Sequence, residues 1–281
     1  MVIEHAPLED ELGDVLEKAM RHAGLNEQSL AALAGVDAGK ICDAIDYRYD
    51  LTVDELKRLV RSLALNEVGV QALAAGRYPL PEIAGLPFCL YPLRTPHGIG
   101  VANAYIVADC CRSSGVLFDT GSDPVMLRRV WPAGIKRLDG VFITHAETEH
   151  TGGLADVVKQ YGPVPVFCPV DAKVPGAAAL GEGTQVTLGG FEIRALSTPG
   201  HAEAHNCYEV SAARVPGGVR VLVSGDLFFA GSVGGAYFSS QQLRKHLARL
   251  LAALPDATVV APGHGPLTTI KNERTFNPFV L

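Results

Sequence analysis

Residues 140–153 read GVFITHAETEHTGG: a β-rich run that ends in two imidazoles and two carboxylates and then opens into a pair of glycines. His145, Glu147 and Glu149 alternate, so on an extended segment their side chains would leave one face, with His150 next at the turn. Imidazole nitrogen and carboxylate oxygen are the common protein ligands of divalent metals, and a strand end that offers this set reads as a metal cradle. Three further runs close in the same way. STPGHAEAH carries His201, VLVSGDLFF carries Asp226 and VVAPGHGP carries His264, each just beyond an apolar stretch, where loops gather ligands in layered α/β folds.

The texture around these motifs is consistent with such a fold. From residue 88 onward, short runs such as ANAYIVAD, GVLFD, VPVF, TQVTL, FEIRAL, RVLVSG and ATVVAP alternate with Gly/Pro turns, and GGLADVVKQYG and SSQQLRKHLARLLAAL have helical spacing. Strands mixed with crossover helices predict a layered α/β domain over 88–281. Residues 79–87 carry Pro79, Pro81 and Pro87 and end a different periodicity, so they are read as a linker. A chain of 281 residues is long enough for two units, and the first, over 1–78, is a small all-α domain. Its apolar residues recur at helical spacing from Leu8 (Leu8, Leu12, Val15, Leu16; then Leu56, Leu59, Val60, Leu63). Asn26, Asp37 and Thr52 stand at helix starts, Thr52 with Glu55 as a capping box, and Gly24 and Gly35 fall where helices end. Four or five short helices are expected.

GLNEQSLAALAGVDAGKICDAID followed by LTVDELKRLVRSLAL resembles, over residues 10–75, the helix-turn-helix domain of phage-repressor-like regulators. That resemblance implies DNA binding, and charge opposes it. The net charge of −6 lies entirely in residues 1–80, which hold 8 Lys+Arg against 14 Asp+Glu, and the recognition-helix position, 37–46, has Asp37, Asp43 and Asp46 against Lys40 alone. Phosphate contacts come from Lys and Arg. The expectation is therefore a bundle for docking or homodimerisation, with nucleic acid not expected as a partner. No apolar run is long enough to span a membrane and the acidic start is unlike a signal peptide, so a cytoplasmic protein is expected. The six cysteines (42, 89, 110, 111, 168, 207) form no C-x-x-C pair and mostly sit in apolar runs; they are read as buried reduced thiols, with Cys110 and Cys111 beside Arg112 as the exposed exception.

In order along the chain, FDTG, THAETEHTGG, TPGH, SGDLFFAGSVGG and PGHGPLTTIKNERTFNPF resemble the metallo-β-lactamase superfamily, and within it the glyoxalase II-like hydrolases, from about residue 87 to the end. The resemblance implies an αββα sandwich with metals at one edge between two sheets. Carried over, it places His145, Glu147 and His201 around one divalent ion and Glu149, His150 and His264 around a second, with Asp226 bridging both. It makes Asp119 of FDTG a residue that orients the ligand loop from behind. The superfamily's motif is His-x-His-x-Asp-His, whereas here His145-Ala-Glu147-Thr-Glu149-His150 stands. Glu in the second position is similar to the flavodiiron branch, and a carboxylate-rich set suits iron or manganese as well as zinc. Glu149 is one methylene longer than the family's Asp, so one occupied site instead of two is the alternative.

Three functions follow from the resemblance. The first is hydrolysis of a small thioester or ester by metal-bound hydroxide, with Asp226 also positioning that hydroxide. The second is a persulfide-type dioxygenase, in which a single iron would sit on His145, His201 and Asp226. The third is a metal-containing sensor with the helical unit as output. His5, His22, His97, His205 and His246 are read as surface or packing residues, with His97 and His205 the two that could line the pocket. Lys271, Arg274, Arg244 and Lys245 are the candidates for a substrate's carboxylates.

Overall fold

The computed structural model describes residues 6–48, 51–98 and 100–281, so His5 lies outside the described residues. Five helices come first: α1 (Leu12–Ala23), α2 (Glu27–Ala34), α3 (Ala38–Ile45), α4 (Val53–Ser62) and α5 (Glu67–Ala74). Their starts are set by the expected caps. Asn26 Oδ1 accepts from the Ser29 amide at 2.9 Å, Asp37 from Lys40 and Thr52 from Glu55, while Gly24 and Gly35 adopt left-handed φ of 66° and 63°. α1 begins at Leu12 and not at Leu8, which packs against the bundle from outside the helix. Leu16, Leu30, Ile41, Leu59 and Val70 form the fully buried centre of this bundle.

The chain then passes through 79–87 without helix or strand and enters β1 (Cys89–His97), β2 (Gly100–Ala108), β3 (Ser114–Phe118), α6 (Pro124–Val130), β4 (Arg137–Phe142), α7 (Thr148–Thr151), α8 (Leu154–Tyr161), β5 (Val166–Pro169) and β6 (Ala178–Leu180). The second half contains β7 (Gln185–Leu188), β8 (Phe191–Ser197), β9 (Asn206–Ala212), β10 (Val221–Gly225), β11 (Phe228–Phe229), β12 (Ser232–Val233), α9 (Ser240–Ala253), β13 (Val259–Pro262), β14 (Thr268–Thr269) and α10 (Ile270–Phe276). One sheet runs β1-β2-β3-β4-β5-β6 and the other β14-β13-β10-β9-β8-β7. Aromatic and branched side chains from both sheets, among them Tyr105, Phe118, Phe142, Phe191, Tyr208 and Val223, fill the space between them. The outer face of the first sheet packs on α6 and α8, and that of the second on α9 and α10. This is the αββα sandwich, preceded by an all-α unit.

The helical unit also packs on the end of the chain. The Asn66 amide donates to Pro278 O at 2.8 Å, Asn66 Nδ2 donates to Thr275 O, and Phe276 and Phe279 join the helical core. Beneath this joint Glu273 is wholly buried and accepts from Tyr78 Oη, Thr268 Oγ1, Asn272 Nδ2, Asn277 Nδ2 and the Gly231 amide. Burial raises its pKa despite these donors.

The cysteine expectation is corrected. Cys89 and Cys110 are joined in a disulfide and Cys42 is exposed; Cys168 and Cys207 match the buried-thiol reading, and Cys111 is exposed as expected. The reason is register: β1 and β2 are antiparallel with Cys89 opposite Ala108, which brings residue 110 alongside at a Cα separation of 5.3 Å, a proximity that linear spacing does not reveal. No helix among the described residues is long and apolar enough to cross a membrane.

Candidate metal centre

The ligand-bearing loops share one edge because of strand direction. Asp119 follows β3 and His145 follows β4, and these two strands are parallel. His201 follows β8, Asp226 follows β10 and His264 follows β13. β8 and β10 are both antiparallel to β9, and β13 is parallel to β10, so these three also end in the same direction. Each candidate therefore sits past the carboxyl end of a strand, and the sandwich brings the two sets together.

His145, Glu147 and His201 offer ligand atoms within 4.8 Å of one another; so do Glu149, His150 and His264, and so do His145, His150 and Asp226. The two three-residue groups expected from the sequence are assembled, with Asp226 between them. Asp226 Oδ1 lies 3.5 Å from His150 Nε2, and its Oδ2 lies 3.7 Å from His201 Nε2 and 3.4 Å from His264 Nε2. Glu147 Oε1 is 3.2 Å from His201 Nε2. Donors bound at 2.0–2.2 Å around a tetrahedral ion sit about 3.3–3.6 Å apart. The spacing fits.

The outer nitrogens fix which imidazole edge faces inward. Nδ1 of His145 meets Thr144 Oγ1 at 3.0 Å, that of His150 meets Asp119 Oδ2 at 3.0 Å, that of His201 meets Gly235 O at 2.7 Å and that of His264 meets Val101 O at 3.0 Å. With Nδ1–H donating outward, each Nε2 lone pair is left toward the centre. The Nε2 atoms of His145, His150 and His201, and Asp226 Oδ1, are buried without a hydrogen-bond partner. Buried polar atoms are seldom left so, and four of them converging is the signature of a cation site. Gly263 is required here: a Cβ on it would lie 2.0 Å from Asp226 Oδ1.

Electrostatics concentrate on the same atoms. Burial opposes charge on every group, yet the imidazoles around Asp226, His264 first, hold its carboxyl well below the ordinary range. Burial likewise works against His264, and Asp226 with Glu9 outweighs it, lifting the imidazole to about 9. His150 is raised by Asp119 and Asp226 against its burial, whereas His145 is driven well down by burial and by the neighbouring imidazoles. Asp119, at φ 57°, accepts from the Thr144 amide and hydroxyl as well as facing His150, so it ties the β3 and β4 loops to a ligand.

The expectation of an extended ligand segment is corrected. Glu147 stands at the N-cap position of the short helix α7, its side chain making no capping hydrogen bond, so Glu149 and His150 lie on a helical turn, and Glu147 and Glu149 fall in different three-residue groups. His205, read as packing, accepts from the Asp226 amide through Nε2 at 3.2 Å and props the Asp226 loop from behind. His97 stands 3.6 Å from Glu149 and lines a cavity of about 730 Å³ with Pro7, Glu9, Tyr47, Arg94 and His264. The Tyr237 ring, 72% exposed, lies 5.3 Å from that of His201 at the mouth. Sequence reasoning passed over Tyr237, Tyr47 and Glu9. Arg274 is committed elsewhere, donating to the Leu251 and Leu254 carbonyls and pairing with Asp256, and Arg244 donates to His22 O. Lys245 and Lys271 are exposed.

A sequence profile of the metallo-beta-lactamase superfamily matches residues 97–264. A probable metallo-hydrolase, YqgX, of Bacillus subtilis is 29% identical, aligning 66% of this chain with 96% of its own. A hydroxyacylglutathione hydrolase of Pseudomonas entomophila is 27% identical over 62% of this chain and 66% of its own. Among solved structures, TTHA1623 in a di-iron-bound form is 30% identical, with a TM-score of 0.51 over 66% of this chain and 99% of that one.

Proposed function

The chain belongs to the metallo-beta-lactamase superfamily, and from that premise we propose that it is a metal-dependent hydrolase of a small thioester or ester. The observation that carries this reading is the gathering around the Asp226 carboxylate of three imidazoles whose buried Nε2 atoms have no hydrogen-bond partner. The hydrolase names of YqgX and of the Pseudomonas enzyme support it. His145, Glu147 and His201, and Glu149, His150 and His264, would hold two divalent ions, which when bound would supply an activated water at neutral pH and polarise the substrate carbonyl.

The remaining work falls to the chain. Asp226, buried between the two groups with a strongly acidic carboxyl, stays ionised and accepts a hydrogen bond from the attacking water, orienting it. Asp119 and Thr144 hold His150 and His145 in the tautomer that faces inward, and His205 keeps the Asp226 backbone in place. Tyr237, beside His201, and His97, beside Glu149, are placed to bound a substrate. Glu147, Glu149 and Asp226 contribute −3 against the +4 of two divalent ions, a balance that admits iron or manganese as readily as zinc.

Full-length protein loaded with zinc, iron or manganese tests this against a panel of acyl thioesters and esters, with oxygen uptake on glutathione persulfide measured in parallel. Hydrolysis that is lost in His145→Ala and Asp226→Ala is the expected result. Oxygen uptake by a protein with one iron, and no hydrolysis, would replace it with the dioxygenase reading on His145, His201 and Asp226.

A further inference from the structure

Glu9 belongs to the segment that leads into α1, outside the residues that match the superfamily, yet it reaches the metal centre. Its Oε1 lies 3.6 Å from His264 Nδ1, on the ring edge opposite the Nε2 that faces Asp226. The approach is close along the backbone as well. Gly265 turns with φ 75°, and a Cβ there would stand 3.2 Å from the Glu9 amide nitrogen, so segment 7–9 lies directly on the turn that carries His264. The next residue anchors the segment. Asp10, buried, accepts from Lys18 and from Ser232 Oγ, and Lys18 Nζ also donates to Val233 O at 2.9 Å. Ser232 and Val233 form β12, a few residues beyond Asp226. The helical unit is therefore pinned beside the Asp226 carboxylate and beside one histidine of the second group.

We propose that Glu9 is a positioning residue for the second metal: an outer carboxylate, donated by the helical unit, whose charge behind His264 strengthens that histidine's hold on the ion. This rests on the two-metal reading above. A carboxylate behind a ligating histidine raises the ligand's basicity, and removing such a partner costs typically 10–100-fold in metal affinity. The Val101 carbonyl already takes the Nδ1 hydrogen bond, so Glu9 acts through its charge at 3.6 Å, and Gln, of the same shape, removes that charge alone. The helical unit then sets how fully the second site is filled.

The test uses full-length protein loaded with zinc and challenged with a chromogenic chelator, with release followed in time. Wild type is expected to hold two zinc ions. Glu9→Gln should release one of them about tenfold faster or more, the same ion that His264→Ala loses, while the other leaves at the wild-type rate. Glu17→Gln removes an exposed charge from α1 and should behave as wild type. Melting of the zinc-free proteins separates this from damage to the fold, because a merely structural Glu9 would lower the melting temperature and loosen both ions together. Equal release from Glu9→Gln and wild type overturns the inference alone. A wild type that binds a single ion or none overturns the two-metal reading and the inference with it.

Discussion

Replacing Asp119 with Asn isolates what one buried carboxylate does for a histidine ligand. The backbone at 119 has φ 57°, a left-handed conformation that Asn tolerates, so the substitution leaves the turn intact where Ala would not. Asp119 Oδ1 accepts from the Thr144 amide at 2.8 Å, while Oδ2 accepts from Thr144 Oγ1 at 2.8 Å and faces His150 Nδ1 at 3.0 Å. An amide has one acceptor oxygen. If its NH2 takes the Oδ1 place it confronts the Thr144 N–H, and a buried donor without a partner costs roughly 1–3 kcal/mol. If it takes the Oδ2 place it confronts Nδ1–H of His150, and the ring answers by shifting its proton to Nε2, which blocks the ligand atom. The second arrangement weakens the ion that Glu149, His150 and His264 would hold, by about 10–100-fold, or roughly 1.4–2.8 kcal/mol, whereas the first keeps the tautomer and lowers the melting temperature of the zinc-free protein. Zinc affinity measured by chelator competition, together with melting of the zinc-free protein, is the assay. Unchanged affinity for both ions together with unchanged melting would refute the reasoning.

Metal binding should be strongly pH-dependent. His264 at about 9 and the raised His150 hold protons in the metal-free protein, and a ligand must lose its proton to bind, so zinc affinity should climb by about tenfold per pH unit for each displaced proton up to about pH 9. The sign for stability is opposite. The raised pKa of His264 stabilises the metal-free fold in full below its ordinary value near 6.5, and that contribution is lost as the pH rises through 9, so the metal-free melting temperature should fall across this window, and less in His264→Ala. Thiol titration of denatured, unreduced protein should count four reactive cysteines; six would remove the Cys89–Cys110 bond. The helical unit should give no shift of genomic DNA fragments at low salt, since Lys40, the one basic residue of α3, is paired with Glu55; tight, salt-sensitive binding would reverse that expectation.

β10 and β13, buried along their whole length, were legible because continuous apolar, β-branched runs such as VLVSG and VVAP have few other readings. β1 was not legible. Pro92 and Pro96 interrupt its sequence and are tolerated because it is an edge strand with β2 on one side only. The candidate ligands were visible one motif at a time as donors at strand ends, and the family resemblance joined them. The α7 turn was hidden, since alternation of His145, Glu147 and Glu149 fits a strand until Glu147 stands at a helix N-cap position. Glu9 and the disulfide depend on contacts between segments far apart in the chain, and no local pattern encodes those.

The central claim is a two-metal centre assembled from His145, Glu147, Glu149, His150, His201, Asp226 and His264. Elemental analysis of full-length protein expressed with iron and zinc both supplied tests it most directly. Two metal ions per chain, falling to one in His264→Ala, is the result this account predicts. A single ion in the wild type, unaffected by loss of His264, would contradict it.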